Sequence, residues 1–300
     1  MTDTSHVDPR HPRVAVLLAA WNGARWIDMQ VQSILHQNDV SVDLYISVDQ
    51  CTDDTHAMCI RFADQDSRVR VLPYGNSFSS ACANFFRLIR DTQFSEYDYI
   101  ALADQDDFWR PEKLQRAIQM LLENQASAYS SNVCAFWENG KRKELKKSYP
   151  QRRYDHFFES AGPGCTYVLT REACEIVKHT LQTSSPELIS KVELHDWFIY
   201  AVIRAKHFSW FIDDFVGVDY RQHTSNVFGA NSGFRALLMR FKLVNNQWYR
   251  KQVLLTVELL SPKYLDLFSS RLSVAKRAFE CKRKPLQACA LIVLCLLGVY

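Results

Sequence analysis

Four times before residue 123, a short apolar run is followed by a segment whose apolar residues recur at helical spacing. Val14 to Ala20 ends at the turn-forming pair Asn22-Gly23 and leads to Ile27, Val31, Ile34 and Leu35. Val42 to Val48 leads to a helix from about Asp54 with Met58 and Phe62 inward, and Val69 to Leu72 leads to one with Cys82, Phe85, Phe86 and Ile89 on one face. Tyr97 to Ala103 leads to a helix opened by Pro111, with Leu114, Ile118, Leu121 and Leu122 inward. Such alternation predicts an α/β fold with a mainly parallel central sheet and helices on both faces. Ligands of these sheets bind beyond the carboxyl ends of the strands. The first positions to search are therefore Trp21 to Gly23, Asp49 to Asp53 and Asp104 to Asp107.

The pattern then changes. Ala128 to Phe136 reads as a strand, Lys141 to Lys147 as a basic loop, and Ala161 to Thr170 as a small-residue segment entering a helix at Arg171. A further helix spans about His195 to Lys206, and two short aromatic strands follow, Phe208 to Ile212 and Phe215 to Tyr220. At 300 residues, 47% of them hydrophobic, the chain can bury a full core. Nine scattered cysteines with no CxxC pair suit a reducing compartment and give no zinc spacing. Residues 1–12 form a polar, flexible N-terminus without the basic start and apolar stretch of a secretory signal.

Asp104, Asp106 and Asp107 lie between an apolar strand and a helix, where three carboxylates repel one another unless a cation or solvent intervenes. A solvated acidic turn is the plain reading; the position after a buried strand favours hard oxygen ligands for Mg2+ or Mn2+ carried with substrate phosphates. Thr52 or Asp53 suits a helix cap, but Asp49 comes too early and is free to accept a ligand hydrogen bond. Glycine-rich dinucleotide and P-loop runs are absent, which speaks against oxidoreductase and P-loop kinase classes.

Together these segments resemble the inverting glycosyltransferases of family 2, of GT-A fold, and most of all their rhamnosyltransferase-type members, over roughly Arg13 to Gly229, which implies a transferase domain of residues 13–233. Ala19-Ala20-Trp21-Asn22-Gly23 resembles the first nucleotide-binding turn. Ile46 to Thr55 resembles the second, in which the residue at Asp49 contacts a pyrimidine base, although Val48, Gln50 and Cys51 depart from the usual Asp, Gly and Ser. Asn76, Ala83 and Asn84 resemble the next stretch, and Asp104-Gln105-Asp106 the Asp-x-Asp metal motif. His195-Asp196-Trp197 stands where the family carries its general base, which the resemblance assigns to Asp196; taken alone, Asp196 is a carboxylate favoured by a helix N-terminus, with Trp197 in the core. Ala161 to Thr166 resembles the acceptor loop, which implies acceptor contacts at Gly164, Cys165, His195 and Trp197. Tyr220 to Gly229 resembles a later motif in which Arg221 meets the diphosphate and His223 joins Asp106 at the metal.

The resemblance implies a dTDP- or UDP-sugar donor, with rhamnose as the sugar, and a lipid-linked or cell-surface glycan acceptor. The altered second motif also admits a catalytically silent glycan-binding subunit, and the sheet alone admits a nucleotidyltransferase.

Residues 234–300 carry twelve Lys and Arg against three acidic residues, on a body that is net acidic. Leu237, Leu238, Phe241 and Val244, then Val253, Leu254, Val257 and Leu260, recur at helical spacing among basic residues. Such helices lie on an anionic membrane surface or pack on the domain with a solvated face. Ala288 to Tyr300 is apolar but short of the roughly 20 residues a spanning helix needs, so it dips into the bilayer, closes the core, or begins a longer segment. Lipid suits this end better than nucleic acid, and the expected location is cytoplasmic, on the inner face of the cell membrane.

Overall fold

The computed structural model describes residues 11–75, 77–223 and 247–300. Asn76, the stretch from Thr224 to Gly229, and Leu237, Leu238, Phe241 and Val244 lie outside them. The four predicted repeats form β1 (Arg13–Ala20), α1 (Ile27–Leu35), β2 (Ser41–Val48), α2 (Thr55–Gln65), β3 (Val69–Val71), α3 (Ala81–Asp91) and β4 (Tyr99–Asp104). They continue through β5 (Phe108–Trp109) into α4 (Lys113–Glu123). β3, β2, β1 and β4 are neighbours in that order and all parallel. β1 is apolar from Val14 to Ala20 because both of its faces are covered there. Ala15, Leu17 and Ala19 join one core with α3, α5 and α7, while Val14, Val16, Leu18 and Ala20 join the other with α1 and α4.

Beyond α4 the sheet becomes mixed. β6 (Ala128–Trp137), β7 (Arg142–Leu145), β8 (Val168–Thr170) and β9 (Trp210–Gln222) are interleaved with α5 (Arg171–Thr183), α6 (Pro186–Ile189) and α7 (His195–Ala205). β8 runs antiparallel between β4 and β6, and β9 is parallel to β6 but antiparallel to β5. Three expectations change here. Leu122 is 66% exposed, because one helical step past Leu121 carries it over the edge of the buried stripe. The basic loop is the outer arm of a hairpin, β7 on β6. The two aromatic strands are one, β9, whose pairing with β6 slips twice between Ser131 and Cys134.

The C-terminal segment comprises α8 (Trp248–Leu260), α9 (Leu265–Ser269), α10 (Arg271–Lys276), α11 (Ala278–Cys281) and α12 (Pro285–Leu296). Val253, Val257, Phe268, Leu291 and Tyr300 share a third core with Tyr154, Phe157, Phe158 and Trp197 of the body. A buried ionic cluster reinforces the junction: the wholly buried Asp155 receives the Tyr200 hydroxyl at 3.0 Å and lies 3.4 Å from Arg204 and 3.7 Å from Arg283. Of the readings of the apolar end, core packing holds for one face of α12, through Ala288, Leu291 and Cys295. No helix of the described residues is long and apolar enough to cross a membrane.

Candidate active site

Because β1, β2 and β4 are adjacent and parallel, their carboxyl ends deliver three turns side by side. The first two are tied together by side chains. Asn22, in the left-handed region at φ 47°, accepts the Thr52 N–H at 2.8 Å through its side-chain oxygen. The Gly23 N–H reaches the Thr55 hydroxyl at 2.7 Å and the Ala24 N–H reaches Asp53 at 3.1 Å. Cys51, one of the departures from the family pattern, takes the Asn22 N–H on its sulfur at 3.2 Å and donates to the Asp49 carbonyl at 3.1 Å. Burial raises its pKa, so it stays a thiol and does the work of a hydroxyl. Asp49, 6% exposed, holds the N–H groups of Gln50 and Phe78 at 2.7 and 2.8 Å on one oxygen.

Gln105, from the third turn, pairs its amide with both the N–H and the carbonyl of Trp21, each at 2.7 Å. That approach requires Gly23, where a Cβ would stand 2.2 Å from the Gln105 oxygen. The Trp21 ring, 56% exposed, stands at the rim with its indole N–H 3.2 Å from the Gln50 carbonyl. Asn84 is 2% exposed and spends its amide N–H on the Ser47 carbonyl at 3.0 Å, which places it beneath the turns as a brace.

The acidic turn divides its carboxylates between two clusters. Asp106 meets His223, 117 positions away, at 2.6 Å, and His223 stacks on Trp26 with ring centres 4.3 Å apart. Arg221 donates from Nε to the Asp106 carbonyl at 2.7 Å and from its backbone N–H to Asp107 at 3.0 Å, with its guanidinium over Phe136. Below, Asp104, the wholly buried Asp107 and Cys165 bring ligand atoms within 4.8 Å of one another. Burial, then Asp106 and Asp196, push the Asp104 carboxyl up to about 7, and burial, then Asp106 and Asp104, also hold Asp107 well above the usual carboxylate range. The Lys113 amine beneath, its Nζ without a hydrogen bond, falls to about 7 through burial. A hard carboxylate oxygen and an imidazole facing one another, as in Asp106 and His223, suit a divalent cation.

The residues expected on the acceptor side come from the start of α7 and the loop 161–166. Asp196 is half-buried and accepts its neighbour's Trp197 N–H at 2.7 Å. Burial raises its pKa to about 6 against the lowering effect of that bond, of Lys147 and of the Ser160 hydroxyl. His195 stacks on Phe85 at 4.0 Å, and burial lowers its pKa to about 3, so the ring is neutral. A Cβ on Gly164 would lie 2.5 Å from His195 Nε2 and 3.4 Å from Asp196 Cβ, so only glycine lets the loop come this close. Two residues expected here sit elsewhere. Trp197 is 5% exposed, gives its indole N–H to the His156 carbonyl at 3.0 Å and stacks on Tyr249. Cys165 is wholly buried under the acidic turn. Trp26, Lys113, Ser160 and Lys147 were not singled out by sequence; Lys147 alone carried a signal, as part of the basic loop.

The family model described as Glycosyltransferase like family 2 matches residues 11–184. The chain is 42% identical over 237 residues to the dTDP-rhamnosyl transferase RfbG of Shigella flexneri, covering 79% of this chain and 82% of that one. It is 25% identical over 239 residues to the UDP-Glc:alpha-D-GlcNAc-diphosphoundecaprenol beta-1,3-glucosyltransferase WfgD of Escherichia coli, covering 78% and 83%. Among solved structures, S. aureus TarS 1-349 in complex with UDP-GlcNAc superposes with a TM-score of 0.61 at 10% identity, over 96% of this chain and 80% of that one. The mannosyltransferase PcManGT from Pyrobaculum calidifontis, in complex with GDP-Man and Mn2+, does so at 0.54 and 16% identity, over 98% and 82%. The chain is a GT-A-fold glycosyltransferase and belongs to glycosyltransferase family 2.

Proposed function

We propose that the protein is an inverting transferase that moves a rhamnosyl group from dTDP-rhamnose to a lipid-linked or cell-surface polysaccharide acceptor. The name of the 42% identical relative supports the donor, and that of WfgD supports a lipid-diphosphate-linked acceptor. The observation that carries the reaction type is Asp196, a half-buried carboxylate whose pKa lies at about 6 and which stands in the electrostatic field of Asp104. Such a group is ionised at neutral pH yet basic enough to accept a proton from an acceptor hydroxyl as the glycosidic bond forms.

In this reading Asp49 binds the base, with Ala20, Trp21 and Asn22 forming the turn against the nucleotide and Asn84, Asp104 and Gln105 bracing it. Arg221 meets the diphosphate with a planar pair of donors. Asp106 and His223 would hold Mg2+ or Mn2+, which when bound neutralises charge on the departing nucleoside diphosphate. His195 and Gly164 shape the acceptor side, and Asp196 takes the proton. Catalysis then takes place at the inner, cytoplasmic face of a membrane, where the basic C-terminal segment meets anionic lipid. The test is Asp196→Asn, with transfer from dTDP-rhamnose and dTDP binding both measured. Lost transfer with retained binding is expected; normal turnover overturns the assignment of the base.

A further inference from the structure

A half-open cavity of about 220 Å³ lies between the body and the C-terminal helices, lined on the body side by Lys147, Ser160 and Gly162 and on the other by Lys282, Arg283 and Lys284. Ser160 and Lys147 also act on Asp196, so the cavity adjoins the acceptor side of the active site. Its charge is unbalanced. Among the lining residues, only Glu159 opposes the four cations, and it is engaged by Arg283, whose backbone N–H it accepts at 2.7 Å. Arg283 is 6% exposed; its Nε faces Glu159 at 3.4 Å and Asp155 at 3.7 Å, its Nη2 donates to the Ser160 carbonyl, and its Nη1 makes no hydrogen bond. Burial and neighbouring cations lower the pKa of both Lys147 and Lys282. One buried and three half-buried cations against a single lining carboxylate are costly, and an oxyanion with several acceptor oxygens would relieve that cost.

A second observation concerns the helix that begins at the cavity wall. While Ala288, Leu291 and Cys295 of α12 face the core, Leu286, Val293 and Leu297 on its opposite side are 85%, 53% and 72% exposed. These three recur at intervals of seven and four residues and so form one stripe. A cavity lined by cations thus opens beside an exposed apolar stripe.

We infer that the cavity is a subsite for the diphosphate of a lipid-linked acceptor, with the first units of its lipid chain along the exposed stripe of α12. The inference rests on the transferase reading above and deepens it: the diphosphate anchors the acceptor so that its sugar hydroxyl reaches Asp196.

The test compares full-length wild type, Lys284→Ala and Lys284→Arg on N-acetylglucosamine linked through diphosphate to a short prenyl chain, and on the same sugar as a phosphate-free alkyl glycoside. Lys284 is chosen because its amine rests over the Tyr149 ring, outside the Asp155 cluster. Lys284→Ala should raise KM for the diphosphate acceptor by about tenfold with kcat unchanged, leave the alkyl glycoside unaffected, and be rescued by Lys284→Arg. Equal KM for both acceptors in wild type, or parallel losses in the variant, overturns the subsite while leaving the transferase reading intact. A variant that loses retention on phosphatidylglycerol vesicles but keeps its KM for the soluble diphosphate acceptor assigns the cavity to bulk lipid headgroups, which also overturns it. If neither acceptor is glycosylated, the proposed pairing of donor and acceptor fails and the cavity is judged by calorimetric titration of metal-free protein with inorganic diphosphate. Binding that weakens in Lys284→Ala supports an anion site; no binding, or binding indifferent to the variant, overturns it.

Discussion

The donor and acceptor sides of the cleft are held in opposite ways. On the donor side, the turns at 21–24, 49–55 and 105 satisfy one another through side-chain bonds to backbone, so their shape is set before any nucleotide arrives. On the acceptor side, His195 Nε2 and Arg283 Nη1 are buried without a hydrogen-bond partner; the unpaired atoms of the donor side, Asn84 Oδ1, Asp107 Oδ2 and Lys113 Nζ, lie beneath its turns and outside that network. Buried polar atoms are normally paired, and those that are not are costly. A preorganised turn spends little of the ligand's binding free energy on ordering, whereas an unsatisfied pocket becomes fully paired only with its ligand present. The contrast suits an enzyme that meets a soluble donor on one side and a bulky acceptor on the other.

The sharpest way to break the comparison is Asp196→Asn, which should lower kcat by about a thousandfold, within the usual range for loss of a general base, while nucleotide affinity is unchanged. Loss of nucleotide binding as well, seen by titration with dTDP, would mean that the two sides do not act separately. Next is the pH dependence. With Asp196 at about 6, kcat/KM should fall about tenfold per pH unit below pH 6 as the base is protonated. The linked effect on stability has the opposite sense. A carboxyl whose folded pKa is raised from 3.8 to about 6 contributes stability that is fully present below pH 3.8 and is lost as the pH rises to about 6. Denaturant melts of wild type and Asp196→Asn across that window should differ in slope.

The two close-approach glycines sharpen the comparison further. Gly23→Ala forces Gln105 off Trp21 and should raise donor KM by about tenfold, the loss of two hydrogen bonds, with little change for the acceptor. Gly164→Ala drives into His195, which is pinned on Phe85, and should raise acceptor KM to a similar degree while sparing dTDP binding. The smallest effect is expected from Cys51→Ser. A hydroxyl can accept from Asn22 and donate to Asp49 as the thiol does, so donor KM should stay within about threefold.

Much of the donor side was legible in the sequence because it is local. Each turn follows a strand whose apolar run is self-evident, and Asp49, Asn22 and Asp106 stand where such strands end. Asn84 was legible as a position but not as a brace, since its partner is a carbonyl on another strand. The acceptor side was less legible. Trp197 lies next to Asp196 in sequence, yet helical geometry turns its ring away toward Tyr249. Lys147 and Lys284 come from segments that read only as basic, and nothing in their spacing says that they share a cavity.

Sequence alone determined the alternation of strands and helices, the acidic turn after β4 and the apolar, basic end of the chain, because periodicity and turn chemistry act within a few residues. Only the tertiary structure decided that Lys113 lies buried beneath the acidic turn and that the C-terminal helices close a cationic cavity beside Asp196. Those relations depend on which apolar faces bury one another. Such non-directional packing brings charges together at separations that no local pattern records.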